Sequence, residues 1–389
     1  MDPRLIWLAV GAFATSTVAF VFAGLLPLIA DSVGVSVSQA GLLMTAFSLS
    51  YAIGTPVLAT VTGTIDRRRV IGMALIAFMV ANLAAASAGS YTMLMLAQIV
   101  MGAFTGLFAS TAQATAVALS DPQRRARAVS IVIAGTTFAV AFGAPLGALI
   151  GNLVGWRFTF LFVAALAMTC LVILWFRLPH DIAGMRLSLG ERVLAIGHPG
   201  VLPALAVSWL YVSANFTLIA YMAPLAMEGA GMSRDTVPLL LLVFGVGAVT
   251  GNALAGWLGD RLGATRTVVI AILGALTLAT AIALTLGLLP SRMAAIMLTI
   301  LMFPWGLVGW SFPSAQTSRL VAAAPQLLHL TMPLHASVIY LGIASGGLIG
   351  AQLLAVAEAK WLPVVSVCVL LVTLATLAAD VLRRRSHPA

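Results

Sequence analysis

Twelve stretches of about twenty or more apolar residues run through this chain, separated by short polar or turn-rich breaks. No other feature limits its fold as much. A helix of about 20 residues crosses about 30 Å of hydrocarbon, so each stretch is long enough to span a bilayer. The spans read as 5–30, 40–62, 70–89, 91–119, 129–151, 158–177, 201–226, 237–258, 267–289, 293–318, 331–356 and 362–382. Only 8% of the 389 residues are Asp, Glu, Lys or Arg and 61% are hydrophobic, too little charge to coat a water-facing surface. The expected fold is all-α and membrane-embedded. The first block, Leu5 to Ala30, exceeds the short apolar core of a cleaved signal and reads as the first membrane helix.

A net charge of +9 could mean nucleic acid, but the basic residues lie between apolar blocks, as membrane topology requires. With the N-terminus inside, sixteen basic residues face the cytoplasm: Arg4, Arg67 to Arg69, Arg124, Arg125, Arg127, Arg177, Arg186, Arg192, Arg261, Arg266, Arg319 and Arg383 to Arg385. Only Arg157, Arg234, Arg292 and Lys360 fall outside. An even number of spans then places both termini inside. Cys170 and Cys368 lie deep in apolar blocks and form no metal or redox motif.

The longest polar interruption, around 179–200, falls near the chain's midpoint. It divides an N-terminal six-helix bundle (1–178) from a C-terminal one (201–389), with a short amphipathic helix expected around Leu187 to Ile196. The halves repeat. Gly63-Thr-Ile-Asp-Arg-Arg-Arg69 follows the second helix and Gly256-Trp-Leu-Gly-Asp-Arg-Leu-Gly-Ala-Thr-Arg266 follows the eighth, with Asp66 and Asp260 194 residues apart. Parallel six-helix repeats mark a transporter architecture with its substrate site between the halves.

Gly256, Asp260, Arg261, Gly263 and Arg266 carry the loop pattern G-x-x-x-D-R-x-G-x-x-R in full. In the first copy Thr62 stands at the leading glycine and Arg69 at the later one. On these residues the chain resembles the major facilitator superfamily over essentially its whole length. The Asp66-Arg67-Arg68-Arg69 loop, the run Gly143-Ala144-Pro145-Leu146-Gly147 and the following Gly155-Trp156-Arg157 are similar to its drug:proton antiporter and arabinose-efflux-permease branch. That resemblance implies export by alternating access with proton antiport, in a bacterial inner membrane.

Asp66 and Asp260, with their arginines, either latch sub-bundles by accepting helix N–H groups and pairing with Arg, or are solvated turns. Gly143, Gly147 and Gly151 share one helix face, and Pro145 removes a backbone hydrogen bond. The pattern serves close packing, a conformational role, or both.

None of the eleven acids lies at the centre of a predicted helix, where a proton relay is normally sought. Gln98 stands where the family's relay arginine would be. Asp31, Glu228, Arg157 and His335 remain as coupling candidates, the first two also reading as plain outer-loop charges. His329, Met332 and His335 form at most a loose soft-metal spacing, and no metal or cofactor site is assigned.

The family's cavity helices carry Tyr51, Gln98, Gln113, Thr137, Tyr211, Asn215, Asn252, Trp305, Trp310 and Tyr340 at mid-depth. Each is either interhelical glue or substrate contact. Without fixed charge, such a set suits a neutral or amphipathic solute such as a sugar, nucleoside or drug. The alternatives are an uncoupled facilitator or an importer of a small solute or a transition-metal ion. No catalytic constellation is present, and the partners expected are a small solute, protons and lipid, with the chain acting as a monomer and binding no nucleic acid.

Overall fold

The computed structural model describes residues 2–180, 182, 190, 198, 200–323 and 325–386. For Asp260, Pro325, Leu328, His329 and residues 384–386 it describes the backbone alone. The expected amphipathic helix at 187–196 and most of 179–200 lie outside these residues.

The chain forms two compact units, Met1–Leu189 and Gly190–Ala389. The first holds α1 (Arg4–Val33), α2 (Val37–Val61), α3 (Arg67–Ala86), α4 (Tyr91–Ala118), α5 (Pro122–Val154) and α6 (Trp156–Arg177). The second holds α7 (Val201–Ile219), α8 (Val237–Leu262), α9 (Ala264–Leu288), α10 (Ser291–Ala323), α11 (Leu328–Leu354) and α12 (Leu362–Ser386). All twelve are long and apolar enough to cross a membrane. No strand occurs among the described residues.

Two expected boundaries moved by five residues or more inside a continuous helix. The fifth span begins at Pro122 rather than 129. The tenth runs to Ala323 rather than 318, so Arg319, read above as a loop charge, belongs to α10 and is 4% exposed. Residues beyond 219 leave the regular α7 helix for a short turn and a π segment, Leu225–Gly229.

Lipid offers no hydrophobic drive between helices, so they associate by close backbone approach. In the first unit Gly143, Gly147 and Gly151 of α5 face Thr17, Val21 and Leu25 of α1. The Cβ that Gly147 lacks would stand 2.2 Å from Val21. In the second unit Gly342, Gly346 and Gly350 of α11 face α7, with Gly346 against the Ser213 carbonyl and Gly350 against Tyr221. These three glycines follow the α5 three by 199 residues each.

A second pair repeats as well. Gly102 of α4 lies against the Phe47 carbonyl of α2, and Gly306 of α10 against the Phe244 carbonyl of α8. Each unit is thus closed by the same two helix pairs at matching positions.

Pro145 is the second residue of the last segment of α5, Ala144–Val154, which follows a five-residue π segment, Ala139–Gly143. The proline supplies no N–H to the preceding turn, and the backbone there is locally underwound. Turns between helices need glycine only where φ is positive: Gly155 (φ 101°) joins α5 to α6 and Gly263 (φ 82°) joins α8 to α9.

Candidate functional site

Polar groups in α7, α8 and α10 form the densest arrangement of candidate substrate residues. Tyr211 and Asn215 stand one turn apart on α7. The Trp305 indole N–H donates to Asn215 Oδ1 at 3.0 Å, and the Asn215 amide donates to the Tyr211 carbonyl at 2.9 Å. Tyr211 stacks on Phe312 of α10 with centroids 3.8 Å apart, and its hydroxyl donates to the Val308 carbonyl at 3.2 Å. Phe244 of α8 meets Trp305 and Trp310 edge-on at 5.2 and 5.5 Å.

Burial divides this cluster by role. Tyr211, Asn215 and Trp305 are 1%, 5% and 2% exposed and satisfy one another, so they hold α7 to α10. Trp310 and Asn252 are half-buried, and Asn252 Oδ1 accepts from Ser314 at 2.9 Å. These two retain surface to offer a solute, and Phe244, 2% exposed, backs Trp310. Tyr340 is buried on α11.

The first-unit candidates do not converge in this way. Tyr51 is buried on α2 against the glycine face of α4, and Thr137 is buried on α5 with its hydroxyl toward the Ile133 carbonyl. Gln113 is half-buried on α4. Gln98 is fully buried, and neither amide atom has a hydrogen-bond partner in the structure.

The coupling candidates separate too. Asp31 and Glu228 are exposed at helix ends. Arg157 donates to Ser32 and to the Ala88 carbonyl, each at 3.0 Å, and lies over the Trp156 ring, tying the start of α6 to the ends of α1 and α3. His335 is 4% exposed, between Ser208 of α7 (3.1 Å) and Thr317 of α10 (3.5 Å). Met332 packs instead against the apolar cluster of Ala204, Leu205 and Leu320. Among the described residues no metal-holding group of side chains is found.

Asp66 caps α3 by accepting the Arg69 N–H at 3.2 Å, and its other oxygen accepts the Ile182 N–H at 2.8 Å. Arg67 belongs to α3 and donates from its side chain to the Ala114 carbonyl of α4. Its N–H donates to the Ile182 carbonyl at 3.2 Å. Arg68 bonds His180 and lies over Trp175 of α6. The loop therefore fastens α3 to α4, to α6 and to the segment after α6. In the second copy Arg261 lies over Trp257, Arg266 is exposed, and the Asp260 side chain lies outside the described ones.

Sequence reasoning missed the most buried charges. Arg319 of α10 and Asp380 of α12 form an ion pair, both 4% exposed, and Arg319 also donates to Gln316 at 3.4 Å. Gln316 donates to the Ala204 carbonyl of α7 at 2.6 Å. The i, i+3 spacing of Gln316 and Arg319 signals one helix face, but only once the helix is known to run past 318.

Twelve spanning helices in two matching six-helix units, with polar and aromatic groups buried between helices, define a multi-pass membrane transporter. Residues 8–346 match the family model described as Major Facilitator Superfamily, and the chain belongs to that family. It is a transporter and not an enzyme.

The Uncharacterized MFS-type transporter YtbD of Bacillus subtilis (strain 168) is 30% identical over 260 residues, 67% of this chain and 66% of that protein, just under two thirds of its length. A peptide transporter solved in complex with alafosfalin matches 97% of the chain and 94% of its own, with a TM-score of 0.75 and 14% identity. A bacterial homolog to the human lysosomal transporter Spinster, inward-facing and occupied, matches over 100% of both chains at 0.73 and 19%. The human organic anion transporter MFSD10 (TETRAN) matches 97% of this chain and all of its own at 0.69 and 16%.

Proposed function

We propose that this protein exports a small neutral or amphipathic solute, a sugar, nucleoside or lipophilic drug, in exchange for protons across a bacterial inner membrane. In this reading both termini are cytoplasmic and access alternates to a site bounded in part by Trp310 and Asn252. The observation that carries the substrate class is the uncharged aromatic and amide character of the α7, α8 and α10 cluster. The neighbours of similar fold include a peptide and an organic anion transporter. A cluster without a fixed cation offers an anionic solute no counter-charge.

The export direction rests on the α5 run Gly143 to Gly147 and its resemblance to antiporters; its close seat on α1 gives that run a structural place. The Asp66 loop, fastened to α4 and α6, acts in this reading as a conformational clamp. Gln98 favours a second reading, an uncoupled facilitator, because an uncharged amide stands at the usual relay position with no partner.

A thermal-shift screen of the purified protein tests the substrate class. A solute at a hundred times its dissociation constant adds about 2.7 kcal/mol of stability. Neutral sugars, nucleosides or lipophilic drugs should raise the Tm while dicarboxylates do not, and Trp310→Ala should remove the shift. A shift produced by dicarboxylates alone contradicts the reading.

A further inference from the structure

The hydrogen bonds around His335 accommodate a ring that carries one proton or two. Ser208 Oγ donates to the Ala204 carbonyl at 3.1 Å, and Thr317 Oγ1 donates to the Pro313 carbonyl at 2.8 Å. A hydroxyl has one proton to give. With those protons on backbone carbonyls, each oxygen turns a lone pair toward His335, Ser208 to Nε2 at 3.1 Å and Thr317 to Nδ1 at 3.5 Å. With the hydroxyls so turned the imidazolium donates from both nitrogens; the neutral ring is satisfied when Ser208 turns its proton to Nε2.

Release of the proton needs only one hydroxyl to rotate. Ser208 is suited to this, because the Ala204 carbonyl it leaves still accepts from Gln316 at 2.6 Å. Gln316 is held in turn by Arg319, and Arg319 by Asp380, so the hydrogen-bonded chain runs from α12 through α10 and α7 to His335 on α11.

We propose that His335 is a reversible proton-binding site of the second unit, with Ser208 and Thr317 as its positioning residues. Within this hydrogen-bonded network the charged groups are Arg319 on α10 and Asp380 on α12, which pair with each other. From α7 the ring faces Ser208, with Tyr211 one turn along. On its own helix Thr331 lies one turn away, fully buried with its hydroxyl unpartnered, and His329 is two residues before that.

The two units differ at two of these positions. Ser208 and Gln316 follow Ala12 and Ala112 by 196 and 204 residues, the offsets that relate α1 to α7 and α4 to α10. Both alanines belong to an apolar core cluster with Val132 and Cys170. At these two positions the repeat carries alanine in one unit and a hydrogen-bonding side chain in the other, while the first-unit counterpart of His335, Thr136, bonds Ser16 at 3.1 Å.

The use of the site in transport rests on the proton-antiport reading, but its existence does not. Nitrogen-15 spectra of histidine-labelled full-length protein in detergent micelles test it. The ring signals lost in His335→Gln should pass from one protonated nitrogen to two as the pH is lowered. Ser208→Ala should move that transition down by about one pH unit, since the charged ring loses an acceptor. Thr317→Val should move it the same way, which serves if His335→Gln does not fold.

A His335 signal held in one neutral tautomer throughout, or a transition unmoved by both hydroxyl variants, overturns the proposal. If the transition is found while transport ignores a pH gradient, the antiport reading fails and the site stands.

Discussion

Arg319 and Asp380 show how a residue's neighbours decide its cost. Two charges buried together are tolerated, but one alone is not. Arg319→Leu should therefore lower stability by about 3–5 kcal/mol, and Arg319→Leu with Asp380→Leu should recover most of the loss. Thermal unfolding in detergent reads both, and a double variant as unstable as the single one contradicts a mutual pairing. Trp305 makes a milder case: Trp305→Phe keeps the ring but leaves buried Asn215 Oδ1 without its donor, costing about 1–3 kcal/mol. A Tm within error of the parent would show that the bond holds nothing. At this scale the sequence was partly legible. Tyr211, Asn215, Trp305 and Trp310 stood out as polar or aromatic groups in apolar helices and do converge on one cluster. Phe244 and Phe312, which complete it, look like any core phenylalanine. Arg319 was misplaced because a charge near the end of an apolar block reads as a loop until its partner on another helix is known.

Among elements, glycine placement sets which helices approach. Where the neighbour is a flexible side chain, relief is possible: a Cβ at Gly151 would lie 2.3 Å from Leu25 Cδ2. Gly151→Ala should destabilise the first unit, and Leu25→Ala added to it should restore part of the loss. Where the neighbour is backbone there is no such relief, since a Cβ at Gly102 would lie 2.1 Å from the Phe47 carbonyl oxygen. Gly102→Ala should lower Tm more than Gly151→Ala, and no truncation of Phe47 should rescue it. Equal Tm losses for the two glycine variants would contradict this account of helix approach. Helix existence was legible because about 20 apolar residues admit few alternatives in a bilayer, and so was extent except at ends of the fifth, seventh and tenth spans. The α5 stripe was legible too, and the matching Gly342, Gly346 and Gly350 carry the same spacing in plain view. The π segment before Pro145 was not, because it depends on how α5 seats on α1.

For the whole molecule, the repeat and the sixteen-to-four distribution of basic residues give a topology that labelling can test. In a background of Cys170→Ala and Cys368→Ala, an impermeant maleimide should label Ser233→Cys on intact cells and reach Thr64→Cys only after lysis. The reverse pattern would invert the orientation. The central claim is that the protein moves an uncharged or amphipathic solute out against protons. Its most direct test is a proteoliposome assay with the labelled solute that most raises Tm, with and without an imposed pH gradient. The account predicts uphill solute movement opposite to the proton flow, abolished when the gradient is collapsed by an ionophore. Solute movement that only equilibrates, at a rate indifferent to the gradient, would contradict it.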